Sequence, residues 1–133
     1  MAEFADIFIA KNSDEAINYQ ILEPNRPHIG INGLTDYEIS ALWASLEHSH
    51  IKAKHELIYI DTESDAVLYQ LPEDFTIALA NLPEDDFISV AIVWAEYEEI
   101  HWSREKAMDK IKEIKDLAQK AQQTQQQLYF ILI

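Results

Sequence analysis

The sequence predicts an α+β fold, with about four helices packed on a small, mainly antiparallel sheet in a single domain spanning residues 1–133. Three observations lead there. A chain of 133 residues with an apolar fraction of 48% suits one hydrophobic core and excludes wholesale disorder. Short segments near the start, the middle and the end read as strands, by period-two alternation or by short apolar runs bounded by turn residues. Between them lie segments whose apolar residues recur at helical spacing behind helix-start signals.

The chain starts as a β-hairpin. "FADIFIA" precedes the turn-forming "KNSDE", and "INYQI" alternates apolar and polar residues. "LEPNRPHIGINGL" holds two of the four prolines and both glycines, which predicts a loop. Thr35 to Glu38, "TDYE", is a capping box in which the hydroxyl and the carboxylate each satisfy a free backbone N–H. It opens a helix with one buried stripe of Ile39, Leu42, Trp43 and Leu46, and "HSHIKAKH" ends it. "ELIYI" and "AVLY" flank "DTESD" as a second hairpin.

The next two helices share a start signal, "LPEDFTIALA" from Leu71 and "LPEDDFISVA" from Leu82. Proline suits the first helical position, where its missing N–H costs nothing, and the acids behind it face the positive end of the helix dipole. These signals predict helices over about 72–81 and 83–98. "FISVAIVW", residues 87–94, is rich in β-branched residues and also fits a buried strand; the start signal and the continuation into "AEYEE" favour a helix. Ser103 caps a last helix with Ala107, Ile111, Ile114, Ala118 and Ala121 on its apolar face. "QQTQQQ" is expected to fray that helix. "LYFILI" would aggregate if left exposed, which places it inside the sheet beside the N-terminal hairpin, buried up to Ile133.

Charge narrows the function classes. The net charge is −14. Segment 104–120 holds six bases against four acids, or +2, so the rest carries 20 acids against 4 bases, or −16. Such a surface repels nucleic-acid backbones and anionic lipid and attracts a basic protein. The apolar runs are too short for a membrane helix, the N-terminus lacks a signal-peptide layout, and there is no cysteine. A cytoplasmic, bacterial protein is the expected setting.

Chemical motifs are scarce. No G-x-S-x-G elbow, G-x-G-x-x-G loop or Walker loop occurs, so a non-enzymatic role without a cofactor is expected. His48, His50 and His55, flanked by Glu47 and Glu56, are the candidate ligands for zinc or another divalent metal. Their spacing argues against it, because positions two apart on a helix point to different faces. The other candidate is "WAEYEEIHWS", Trp94 to Ser103. Glu96, Glu98 and Glu99 fall at the negative end of a helix, where cations are preferred, so the local rule is broken. Either Arg104 and Lys106 turn back to neutralise them, or they engage a basic partner with Tyr97 and Trp102 as anchors. In type, small, strongly acidic and without catalytic motifs, the chain is similar to bacterial immunity and inhibitor proteins that mask basic toxins. Two other readings are a metal- or ligand-binding domain using His48 to His55, and a homodimer in which the basic last helix docks on an acidic face of a second copy.

Overall fold

The computed structural model describes residues 4–21, 24, 26–46, 57–62, 64–96 and 102–133. Five strands form one sheet: β1 (Ala5–Ala10), β2 (His28–Gly30), β3 (Ile58–Ile60), β4 (Val67–Gln70) and β5 (Gln127–Leu132). Their order is β2-β1-β5-β4-β3 and every neighbouring pair is antiparallel. The helices are α1 (Ser13–Ile17), α2 (Asp36–Leu46), α3 (Glu73–Ala80), α4 (Phe87–Ala95) and α5 (Arg104–Gln123). Four of these are longer than one or two turns, so the α+β expectation holds.

β5 is the centre of the sheet. Ile7 of β1 and Tyr69 of β4 both stand opposite Phe130. The pleat sends Ala5, Ile7, Ile9, Leu128 and Phe130 into the main core beneath the helices. Phe8, Ala10, Leu68, Tyr129 and Ile131 point the other way, into a smaller cluster closed by Ala16 and Tyr19. Tyr19 stacks on Phe8 with ring centroids 3.9 Å apart. Both faces of β1 are therefore buried, which is why "ADIFIA" is not a clean alternation. "LYFILI" lies inside the sheet beside β1 as expected, but its burial stops short of the end. Ile133 is 39% exposed and exchanges backbone hydrogen bonds with Phe4.

The hairpin partner of β1 is not "INYQI". Asn12 caps α1 by accepting from the Glu15 N–H, and the Glu15 carboxylate accepts from the Lys11 N–H. Acid-rich "NSDE" thus starts a helix where a turn is expected, since its side chains satisfy the free N–H groups of a first turn. Tyr19 is still buried between exposed Asn18 and Gln20, so the alternation is real, but no strand pairs with it. The partner is β2, inside the segment read as a loop, with Ile7 opposite Ile29.

The start of α2 follows the sequence closely. The Glu38 carboxylate accepts from the Thr35 N–H and from its hydroxyl, while that hydroxyl accepts from the Tyr37 N–H. Residues from Glu38 to Ser45 are all buried, so α2 lies within the core rather than presenting one stripe. Trp43 stacks on Phe75 of α3, centroids 5.0 Å apart and rings nearly parallel. Each fully buried side chain of this size stabilises by about 1.5–3 kcal/mol relative to exposure. Residues 47–56, where "HSHIKAKH" is expected to end the helix, lie outside the described residues.

β3 and β4 pair as the predicted second hairpin. Pro72 and Pro83 sit one position earlier than expected, as N-caps in extended backbone, and the second start first makes a 3-10 turn over Glu84–Asp86. Residues 87–94 are helical, which resolves the helix-or-strand ambiguity. α5 packs across the sheet and against α3 and α4, with the expected alanines and isoleucines buried together with Leu117. Its C-terminus does not fray. The Gln126 N–H donates to Ala121 O and the Gln125 N–H to Gln122 O, with Gln125 at φ 54°, a Schellman closure without glycine. That reversal feeds the chain directly into β5.

Candidate functional site

Of the stretch Trp94 to Ser103 that the sequence singles out, residues 94–96 and 102–103 are described, at the end of α4 and the start of α5. Phe87, Val90, Ala91 and Trp94 form the buried face of α4. The Trp94 indole N–H donates to the Glu38 carbonyl of α2 at 2.9 Å, so the capping-box residue also fixes the end of α4. A buried indole N–H left without an acceptor would cost about 1–3 kcal/mol. Trp102 meets Trp94 edge-on at 5.4 Å and is half-buried against the core. Ser103 then caps α5, its hydroxyl accepting from the Lys106 N–H. Lys106 places its ammonium 4.8 Å from the Trp102 ring centre.

Glu96 is the exposed C-cap of α4. Tyr97, Glu98 and Glu99 lie outside the described residues, as do His48, His50 and His55. Among the described residues, the ion pairs are Arg26–Glu15 at 3.0 Å and Lys110–Glu113 at 3.3 Å, and Glu96 belongs to neither. Two other lysines of α5 reach backbone carbonyls, Lys110 donating to Gly30 O and Lys115 to Leu82 O, while Lys112 and Lys120 are exposed. No described group of three or more histidine, aspartate or glutamate residues is placed to hold a metal.

The outer face of α4 is apolar. Ile88 is 58% exposed and Val93 38%, with Ile92 half-buried beside them and Ser89 the sole polar residue of the helix. Glu84, Asp85 and Asp86 are exposed at its N-terminal end. The sequence reading missed this face. Its signal was present, since a helix of composition "FISVAIVWA" has no polar stripe to turn toward water.

Two further features came from the structure alone. Under the sheet, the Tyr19 hydroxyl donates to Asp6 at 2.6 Å, and both residues are buried. Burial, and then the bond to Asp6, push the Tyr19 phenol far above its usual range, so it stays a proton donor. The pair ties the segment after α1 across β1. Nearby, the Lys11 N–H and the Arg26 guanidinium hold the Glu15 carboxyl below its ordinary range. A cleft of about 430 Å³ lies between the start of α3 and the end of α5, lined by Gln70, Gln122, Gln125, Gln126 and Gln127 around Leu71 and Ile77. Glu73 is the one titratable residue lining it, and it is solvent-exposed. Carboxamides neither take up nor release protons near neutral pH, which gives this cleft no acid–base pair.

Among the described residues, no helix is long and apolar enough to cross a membrane. No protein-family model matches the chain, and no curated protein or solved structure is significantly similar to it.

Proposed function

We propose that this is a non-enzymatic protein-binding domain, immunity- or inhibitor-like in type, whose acidic surface engages a basic protein. The observation that carries the reading is the disposition of charge around α4. Glu96 sits at the negative end of the helix dipole outside the ion pairs described, while Lys106, Lys110 and Lys115 are directed to a ring and to backbone carbonyls. Three of the six bases of α5 are thus engaged within the chain, and the acid at the end of α4 faces solvent. A field of one sign speeds and selects the encounter with a partner of the other sign.

Affinity capture with N-terminally tagged protein at low and at high salt tests this, run beside a Glu96→Gln/Glu98→Gln/Glu99→Gln variant. A basic protein held at low salt and released at high salt, and lost by the variant without a change in melting temperature, is the expected result. Capture unchanged in the variant, with a lowered melting temperature, would assign those glutamates to the fold instead.

A further inference from the structure

The outward face of α4 is apolar where the fold asks nothing of it. Ile88 and Ile92 are one turn apart, Ser89 and Val93 likewise, so the four make two adjacent rows opposite Phe87, Ala91 and Trp94. Scattered exposed aliphatics need no explanation. A helix whose only polar residue is one serine does, because that pattern belongs to helices covered on every side.

The charges around this face decide what covers it. Asp85 and Asp86 are exposed at its N-terminal end and Glu96 at its C-terminal end. Glu84 lines a separate cleft with Lys112, Lys115 and Asp116, so the N-terminal bracket rests on the two aspartates. Acids at both ends exclude α4 of a second copy. Whether the two helices ran parallel or antiparallel, carboxylates would face carboxylates at each end. A second copy's α5 offers bases, but Lys110 and Lys115 there are already engaged with backbone carbonyls.

We infer that α4 is the docking face for a different protein, one presenting two or three aliphatic side chains bracketed by lysine or arginine. The brackets stand about 15 Å apart, from the helical rise over the ten residue steps from Asp86 to Glu96. The inference rests on the basic-partner reading and adds to it an apolar centre and a spacing.

The test uses two synthetic fluorescein-labelled peptides of identical composition, titrated with the full chain and read by anisotropy at low and at physiological salt. One is an amphipathic helix with leucines on successive turns and lysine pairs at both ends; the other is its scramble. The ordered peptide is expected to bind about tenfold tighter, the effect of burying roughly one aliphatic side chain. Ile88→Ser/Val93→Ser should reduce it to the level of the scramble at unchanged melting temperature. A second variant, Asp85→Asn/Asp86→Asn/Glu96→Gln, should weaken both peptides and flatten the salt dependence. Equal, salt-sensitive binding of both peptides, indifferent to Ile88→Ser/Val93→Ser, would overturn the α4 surface and leave the basic-partner reading standing. Absence of binding by either peptide at low salt would overturn both.

Discussion

α4 and α5 pack against each other in one layer, and they solve the problem of being a helix in opposite ways. α5 buries a face of alanine, isoleucine and leucine and turns charged residues outward. Ser103 caps its start, Lys120 lies in its last turn where the dipole favours a cation, and the Schellman closure satisfies its final carbonyls. α4 has no side-chain cap at its N-terminus, an acid at its C-terminus and aliphatic residues on both faces. Both ends and the apolar face of α5 are accounted for within the chain. The outer half of α4 is not, and that contrast is the reason to look for function there.

The contrast can be tested by where each helix tolerates change. The largest effects should come from the shared inner side. Trp94→Ala removes a buried indole and its bond to Glu38 and should cost about 3–5 kcal/mol, with Ile111→Ala on α5 costing about 2–5 kcal/mol in chemical denaturation. If Trp94→Ala cost less than about 1 kcal/mol, α4 would not be anchored through this side chain. Next come the helix ends. Ser103→Ala should lose about 1 kcal/mol, the usual worth of a side-chain N-cap. Gln125→Gly should raise stability by roughly 0.5–1 kcal/mol, because glycine meets no Cβ penalty at this positive φ. A loss of stability there would mean that the Gln125 side chain does more than occupy the turn. The smallest effect belongs to the outer face of α4. Ile88→Ser should leave the unfolding free energy within about 0.5 kcal/mol. A larger loss would erase the distinction between the two helices.

Much of this architecture was legible in the residues. The Thr35–Glu38 box, the two "LPED" starts, the Ser103 cap and the insertion of "LYFILI" each rest on chemistry confined to a few neighbouring residues. The errors have a common cause as well. Asn12 and Glu15 close a helical turn, so "KNSDE" reads as a hairpin loop only if side-chain capping is left out. β2 has three residues and is a strand only because β1 offers it a ladder, which no local pattern announces. Gln125 in the left-handed region was hidden because glycine is the usual mark of such a closure. Of the candidate site, the sequence marks Glu96 as a misplaced charge, and Trp102 is seated against Trp94. The apolar outer face is masked in the sequence because Phe87, Ala91 and Trp94 already account for the helix as core. The Asp6–Tyr19 pair joins a strand to a segment that periodicity had made part of a hairpin, so its partners could be matched only in three dimensions.

The position of β5 also sets the order in which this molecule can come together. β1 with β2, and β4 with β3, are two ribbons that share no edge; in the sheet they are joined by β5, which follows all four in sequence. A two-stranded ribbon is marginal in water by itself. During synthesis both must wait, inner edges unpaired, until residues 127–132 have been made and α5 has swung them into the gap. Ile7 and Phe130, neighbours in the finished sheet, are nearly the whole chain apart in sequence, the kind of contact that slows folding. The vulnerable interval in the life of this protein is therefore its own assembly, and an interruption upstream of β5 leaves two open β edges rather than a smaller domain.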